Sequence, residues 1–422
     1  MPVPASPAVA VVGLGYIGLP TAVVLAAHGA RVVGVDVDEA TVASVDRGEV
    51  PFVEPDLGEA LAAAVAGGRL RASTAMPEAD VYVIAVPTPF RPDRTADLSF
   101  VDCAADAVAP RLRGGELVVL ESTSPPGATR HLADRLLAAR PDLSLDGAAG
   151  PVLHVAHCPE RVLPGRVLHE LVTNDRVVGG LTPAAAERAR DLYALFCTGE
   201  IVLTDAVTAE TAKLAENASR DVGIAFANEL AAVCDRLGVD VWELRAIANR
   251  HPRVDILRPG PGVGGHCIAV DPWFLVAAAP EESRLIRTAR EVNDARPDAV
   301  VDRVLAAVAD VAAPRVAALG LAFKADIDDL RESPARCVVG RLADRLAERS
   351  PAARVAVVEP HVDALPAELA ARPNVTLTGL ADAVAGADAV VLLVDHAEFL
   401  AADRAALGLD RAVVVDTRGV WR

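Results

Sequence analysis

The strongest constraint on this chain is a short glycine run, Gly13-x-Gly15-x-x-Gly18, set between an apolar segment at residues 8–12 and a helical pattern continuing to about residue 28. Glycines at that spacing allow a tight turn and let a pyrophosphate approach the first turn of the helix, whose unbonded N–H groups attract anions. The next apolar stretch, residues 31–35, ends at Asp36. An acid there accepts the ribose hydroxyls of a dinucleotide and repels a 2′-phosphate, which favours NAD over NADP. A glycine pattern alone is weak. Strand, turn, helix and spaced acid together predict a parallel α/β fold that binds a dinucleotide.

The alternation continues along the chain. Apolar runs at residues 81–86 and 116–120 read as further buried strands. Residues 208–237 read as one long helix, rich in Ala, Leu and Glu and free of proline, and a second helical region covers roughly 271–312. Strand signals return at 315–319, 354–358, 387–394 and 412–415. The expected architecture is two Rossmann-like, doubly wound parallel-sheet domains joined by a long central helix and helical segment. Residues 1–206 form the NAD-binding domain, 207–312 a central helical dimerisation domain with a cysteine loop, and 313–422 the second Rossmann-like domain.

Composition narrows the function. With a net charge of −17, neither nucleic acid nor an anionic membrane is an expected partner. No apolar run approaches the roughly eighteen residues of a membrane span, and no basic leader precedes the first strand, so a cytoplasmic protein is expected. The six cysteines are scattered, without CxxC pairs or the histidine spacing of zinc sites, and no metal is expected. Of the 41 Lys and Arg residues, only Lys213 and Lys324 are lysine. Where arginine serves as the ordinary cation, a retained lysine suggests an ammonium that must lose its proton or act as a compact point charge.

Five further stretches carry chemistry. Val86-Pro-Thr-Pro89 and Glu121-Ser-Thr-Ser-Pro-Pro-Gly127 follow strands. Their Thr88 and Thr123 are candidates for cofactor or water contacts, with an ordinary turn as the alternative for each. On the long helix, Lys213, Asn217 and Arg220 are spaced by four and three, which puts amine, amide and guanidinium on one face. A solvated face is the plain alternative, and the rarity of lysine speaks for a site. Pro259-Gly-Pro-Gly-Val-Gly-Gly-His-Cys267 holds four glycines in six positions, which reads as backbone approaching a ligand. Cys267 at its end, before a helix, is biased toward thiolate, and Asp271 follows one helical turn later. On these residues alone a nucleophile and a structural cysteine both remain open. Phe323-Lys324 with Arg331 follows the first strand of the second sheet domain and suits a phosphate-bearing ligand.

Together these motifs resemble the UDP-glucose/GDP-mannose dehydrogenase family, in detail its branch acting on UDP-N-acetylhexosamines. The resemblance runs from Gly13-Leu-Gly-Tyr-Ile-Gly-Leu-Pro20 through Cys158-Pro-Glu-Arg-Val-Leu-Pro-Gly165 and residues 259–273 to Asp416-Thr-Arg-Gly-Val-Trp-Arg422. It implies NAD contacts at Gly13, Gly15, Tyr16, Ile17, Gly18, Asp36, Thr88, Thr123 and Arg331. It implies sugar-nucleotide contacts at Arg161, Val162, Lys213, Asn217, Arg220, His251, Arg253 and Gly264. Phe323, Lys324 and Arg418 add contacts from residues 313–422, which become a UDP-sugar-binding domain. The implied reaction is a four-electron, NAD-dependent oxidation of a sugar C6 alcohol to a carboxylate. Cys267 is its nucleophile, Lys213 and Asn217 stabilise the alkoxides, and Asp271, Glu160 or Thr123 orient water. A homodimer or higher homo-oligomer is implied as well.

Two departures refine this. The UDP-glucose branch usually has lysine just before the catalytic-loop aspartate, where this chain has Val270, which turns the expectation to UDP-N-acetyl-D-mannosamine, with UDP-N-acetyl-D-glucosamine as its rival. Close relatives tend to have lysine where this chain has Arg418. A two-electron β-hydroxyacid dehydrogenase would share the glycine turn and long helix but have no use for Cys267. A catalytically silent UDP-sugar sensor would not need the Lys, Asn, Cys and Asp set.

Overall fold

The computed structural model describes residues 6–52, 54–162, 165–265 and 267–421; His266 of the cysteine loop lies outside them. The chain divides into two compact units, residues 1–216 with 273–280 and residues 217–272 with 281–422.

The first unit is built on an eight-stranded sheet. Its strands are β1 (Ala8–Val12), β2 (Arg31–Val35), β3 (Leu70–Ser73), β4 (Val81–Ile84), β5 (Leu117–Leu120), β6 (His154–His157), β7 (Arg176–Gly180) and β8 (Ile201–Asp205), in the order β3-β2-β1-β4-β5-β6-β7-β8. Pairing is parallel except between β6 and β7. The order reverses between β1 and β4, so the carboxyl ends of these strands open a ligand crevice. Helices cover both faces, and the strands are correspondingly apolar on both. Val9 and Val11 of β1 enter one core cluster with Val81 and Val83, and Ala10 and Val12 enter the other with Tyr82 and Ile84. Each fully buried Val or Leu contributes about 1.5–3 kcal/mol.

The long helix Ala206–Leu237 begins where β8 ends. The Asp205 carboxylate accepts the Thr208 amide (2.9 Å) and hydroxyl (2.6 Å), satisfying two donors at the helix start.

The second unit carries a wholly parallel five-stranded sheet: β9 (Arg315–Leu319), β10 (Arg354–Val358), β11 (Val375–Leu377), β12 (Ala389–Leu392) and β13 (Val413–Asp416), ordered β11-β10-β9-β12-β13. It has the same reversal, between β9 and β12. The helical region expected at 271–312 is two helices, Asp271–Ala278 and Arg284–Ala307. Within this unit a buried polar network joins the 206–237 helix to the second of these. Arg290 pairs with Asp221 at 2.6 Å, Asn293 donates to Asp221 at 2.8 Å, and Asn228 donates to Asn293 at 2.9 Å. Asn228 of this network and Arg296 of the same helix as Arg290 together hold Gly260 of the cysteine loop: its amide donates to Asn228 (2.8 Å), and its carbonyl accepts from Arg296 (3.0 Å).

Candidate active site

In the first unit the three glycines have three separate reasons. Gly13 has φ +94°, and a Cβ there would run into the Ala85 carbonyl. A Cβ at Gly18 would strike the Gly13 carbonyl, whereas Gly15 faces open space. Turn, packing and ligand approach are the roles that dinucleotide binding asks of them. The helix Gly18–Ala27 starts at Ile17 with no side-chain cap and no acid in its first turn, so no side chain of the helix competes with an anion at that end. Asp36 is set by the backbone: Oδ2 accepts the Leu14 amide at 2.8 Å and Oδ1 the Asp38 amide at 3.0 Å. Tyr16 is 45 % exposed and stacks on Phe52 with ring centroids 4.2 Å apart. The loops after β4 and β5 are tied together, the Thr88 hydroxyl donating to the Thr123 carbonyl at 2.5 Å and the Ser122 hydroxyl to Val86 at 2.7 Å. Glu210 of the long helix accepts the amides of Gly127 (2.6 Å) and Thr129 (2.7 Å), so the Thr123 loop is anchored at both ends. These residues follow the carboxyl ends of β1, β2, β4 and β5, the side on which a doubly wound sheet takes its ligand.

Glu160 follows β6 and is nearly buried. Its carboxylate accepts the Arg161 amide at 2.6 Å and the Arg176 guanidinium at 3.2 Å. Beneath it lies Glu121, fully buried, which accepts the Tyr193 hydroxyl at 3.1 Å. Burial first, then the neighbouring Glu160 carboxylate, push Glu121 up to about 7. Arg161 does not stand as an open cation: it pairs with Glu216 at 2.6 Å. The Val162 side chain packs on the apolar core. Lys213 is half-buried on the long helix.

In the second unit the structure brings Asn217, Cys267 and Asp271 together. Asn217 Nδ2 donates to Asp271 Oδ2 at 2.5 Å, and the Asp271 amide donates to the Cys267 carbonyl at 2.8 Å. Asp271 is 2 % exposed, whereas Cys267 is exposed in a turn just before the helix Asp271–Ala278. The other cysteines of this unit differ: burial pushes the Cys234 and Cys337 thiols up. In the first unit burial takes Cys158 up to about 12. Cys267 alone combines exposure with a helix start.

The glycines of the cysteine loop need a different explanation from ligand approach. A Cβ on Gly262 would press on Pro334, and one on Gly264 on the Glu332 carbonyl and Pro334. A Cβ on Gly265 would lie 3.1 Å from the Phe323 ring. The close approach is to the protein's own residues 323–334. That stretch lines a cleft with Lys324, Asp395 and Arg418. Arg418 reaches Asp395 at 2.8 Å, and Arg331 forms a bidentate pair with Asp329. Arg331 belongs to this unit, whereas the other expected NAD contacts belong to the first. Arg220, His251 and Arg253 are exposed, the Arg253 amide donating to His251 Nδ1 at 3.3 Å.

Sequence patterns did not reveal Glu121, Tyr193, Arg176 and Glu210, nor the acid and histidine Glu359 and His396. Each meets its partner from a strand end or helix far away in the chain, so the pairing is visible only in the fold.

Comparison with known proteins agrees with these features. Residues 7–197 match the NAD binding domain of the UDP-glucose/GDP-mannose dehydrogenase family, 207–295 its central domain and 317–422 its UDP binding domain. An NDP-N-acetyl-D-galactosaminuronic acid dehydrogenase from Ralstonia nicotianae is 56 % identical over 417 residues, covering 98 % of this chain and 96 % of the relative. A UDP-N-acetyl-D-mannosamine dehydrogenase from Salmonella typhi is 52 % identical over 424 residues, covering 98 % and 99 %. Among solved structures, a UDP-D-ManNAc dehydrogenase from Pyrococcus horikoshii superposes with a TM-score of 0.85 at 37 % identity, covering 98 % and 96 %. The chain therefore belongs to the UDP-glucose/GDP-mannose dehydrogenase family and is an NAD-dependent nucleotide-sugar dehydrogenase.

Proposed function

We propose that the chain oxidises the C6 alcohol of a UDP-N-acetylhexosamine to the carboxylate in two steps through a covalent adduct on Cys267. The observation that carries this reading is the Asn217–Asp271 hydrogen bond of 2.5 Å, locked to the Cys267 backbone. A two-electron dehydrogenase has no task for that assembly.

NAD⁺, when bound, takes up two electrons in each oxidation, so two NAD⁺ and one water are consumed per carboxylate formed. Asp36 and the Gly13–Gly18 turn hold it by its ribose and pyrophosphate. Lys213 accepts or relays the proton of the C6 hydroxyl, and with Asn217 it stabilises the alkoxide. The Cys267 thiolate adds to the resulting aldehyde, forming a C–S bond and a thiohemiacetal. Its oxidation leaves a thioester. Water then adds to the thioester carbon, the C–S bond breaks, and the thiolate is regenerated. Glu160 and Asp271 are the carboxylates that orient this water, with Thr123 as a further contact. Phe323, Lys324 and Arg418 hold the UDP portion in the cleft of the second unit. Arg161, Val162, Arg220, His251, Arg253 and Gly264 complete the substrate contacts, and Arg331 a cofactor contact.

UDP-N-acetyl-D-mannosamine is the substrate we favour, on the 52 % identity to the Salmonella typhi relative and on the solved structures named for it, which at 37 and 39 % identity exceed the 30 % of a solved galactosaminuronic acid dehydrogenase. The 56 % identity to the Ralstonia nicotianae relative supports a second reading, a galacto-configured N-acetylhexosamine. Assaying NADH formation with the manno, gluco and galacto UDP-N-acetylhexosamines and UDP-glucose decides between them. A preference for UDP-glucose would overturn the N-acetylhexosamine reading. We also propose a homodimer through the 206–237 helix, where Phe226, Val233 and Leu237 recur at seven- and four-residue spacing and are 54, 46 and 69 % exposed. Among the described residues no helix is long and apolar enough to cross a membrane.

A further inference from the structure

The two sheets share a hydrogen-bond signature. Gly13 after β1 and Gly320 after β9 have φ of +94° and +98°, and each donates its amide at 2.8 Å to the last carbonyl of the neighbouring strand, Val35 or Val358. The next amide in each case, Leu14 or Leu321, donates at 2.8 or 2.7 Å to the acid that follows that strand, Asp36 or Glu359. The other carboxylate oxygen then accepts the amide two residues further on, Asp38 or His361, at 3.0 or 3.1 Å. Glu359 thus stands where the NAD domain keeps its ribose acid.

What faces the acid differs. Asp36 is half-buried at the surface of the first unit, whereas Glu359 is only 5 % exposed and faces His396, itself fully buried. Glu359 Oε2 also accepts the Ala322 amide at 3.0 Å and lies 3.1 Å from His396 Nε2. The Asp326 amide donates to His396 Nδ1 at 2.9 Å, which fixes the ring proton on Nε2, where it donates to Glu359. Every group around the carboxylate is a donor: three backbone amides and one imidazole N–H. Asp326, His361 and His396 cluster as metal ligands sometimes do, but the Nδ1 lone pair is already taken by the Asp326 amide.

We propose that Glu359 and His396 are a positioning pair for the nucleotide cleft. Glu359 pins the backbone just before Phe323 and Lys324, at Leu321 and Ala322. His396 pins it just after, at Asp326. Both flanks of the Phe323-Lys324 dipeptide are therefore tied to one buried acid–imidazole pair, in the place that a ribose contact occupies in the first unit. The pair touches no substrate; it sets where the Lys324 ammonium and Phe323 ring stand. This rests on the reading of that cleft as the UDP site.

The test is calorimetric UDP binding to the full chain, with NAD⁺ binding as the check on folding. His396→Leu removes both hydrogen bonds, leaving the Asp326 amide without its acceptor and the Glu359 carboxylate without its imidazole donor. We expect it to weaken UDP by about tenfold or more with NAD⁺ affinity unchanged. His396→Asn keeps an acceptor for the Asp326 amide and should recover part of that loss. Glu359→Gln has one acceptor oxygen for four donors, so it should weaken UDP as well, and it carries the test if His396→Leu does not fold. Lys324→Ala separates the two readings: if it leaves UDP affinity intact, the cleft is not the UDP site. If Lys324→Ala loses UDP but the Glu359 and His396 variants bind it within twofold of wild type, the positioning role is overturned.

Discussion

Replacing Asp271 with asparagine tests the assembly around Cys267 with almost no change of shape. The carboxylate is 2 % exposed and accepts the Asn217 amide at 2.5 Å, so the bond is short, buried and charge-assisted. Such bonds are about twice as strong as neutral ones. An asparagine at 271 either keeps a weaker neutral bond or turns its own N–H toward Asn217 and leaves a buried donor unpaired, at about 1–3 kcal/mol. If that energy is lost in the transition state, kcat falls about 5- to 150-fold. The backbone bond from residue 271 to the Cys267 carbonyl survives, and Asp36 and the glycine turn are untouched. NAD⁺ affinity should therefore stay within about twofold. The assay is steady-state NADH formation with calorimetric NAD⁺ binding on Asp271→Asn and wild type. A kcat within twofold of wild type would refute the claim that this hydrogen bond organises the catalytic groups.

Three further outcomes follow from particular groups. Wild type should prefer NAD⁺ to NADP⁺, and Asp36→Ala should narrow the gap in kcat/KM; equal use of both by wild type would remove Asp36 from ribose recognition. Glu121, raised from 4.5 to about 7 by burial and by Glu160, binds its proton more tightly folded than unfolded. Stability should therefore fall as pH rises from about 4.5 to 7. Glu121→Gln, neutral throughout, should gain on wild type over that window by more than about 1 kcal/mol; a difference independent of pH in denaturant unfolding would contradict this. Sedimentation at micromolar protein should give a dimer, and Phe226→Glu should shift it toward monomer; a wild-type monomer would count against the helix face as the contact.

The glycine turn was legible because backbone contact excludes side chains there: a Cβ at Gly13 or Gly18 meets a carbonyl, and this leaves a mark in the sequence. The long helix was legible from 208 to 237 because it lacks proline, and it begins two residues earlier, at Ala206. Strands β3, β6, β7, β8 and β11 were not read. They are short, hold polar residues such as His154 and His157, or end in glycine as at Gly179-Gly180. The antiparallel step between β6 and β7 depends on the path of the chain, which periodicity does not record. In the cysteine loop the glycines were legible but their reason was not, since close approach to a ligand and close approach to Phe323 and Pro334 demand the same residue. Asn217 and Asp271 were read singly; that they are hydrogen-bonded across 54 positions became visible only in three dimensions.

Stoichiometry tests the central claim most directly. NADH is followed by absorbance and the sugar acid by mass spectrometry, for wild type, Cys267→Ala and Cys267→Ser. Four-electron oxidation through a cysteine adduct predicts two NADH per acid in wild type, with little free aldehyde. It predicts collapse of acid formation in Cys267→Ala, where a slow first oxidation survives on Lys213 and Asn217. Cys267→Ser should be nearly as impaired, because a hydroxyl is far less ionised than a thiol near neutral pH. One NADH per product, or undiminished acid from Cys267→Ala, would contradict the covalent mechanism.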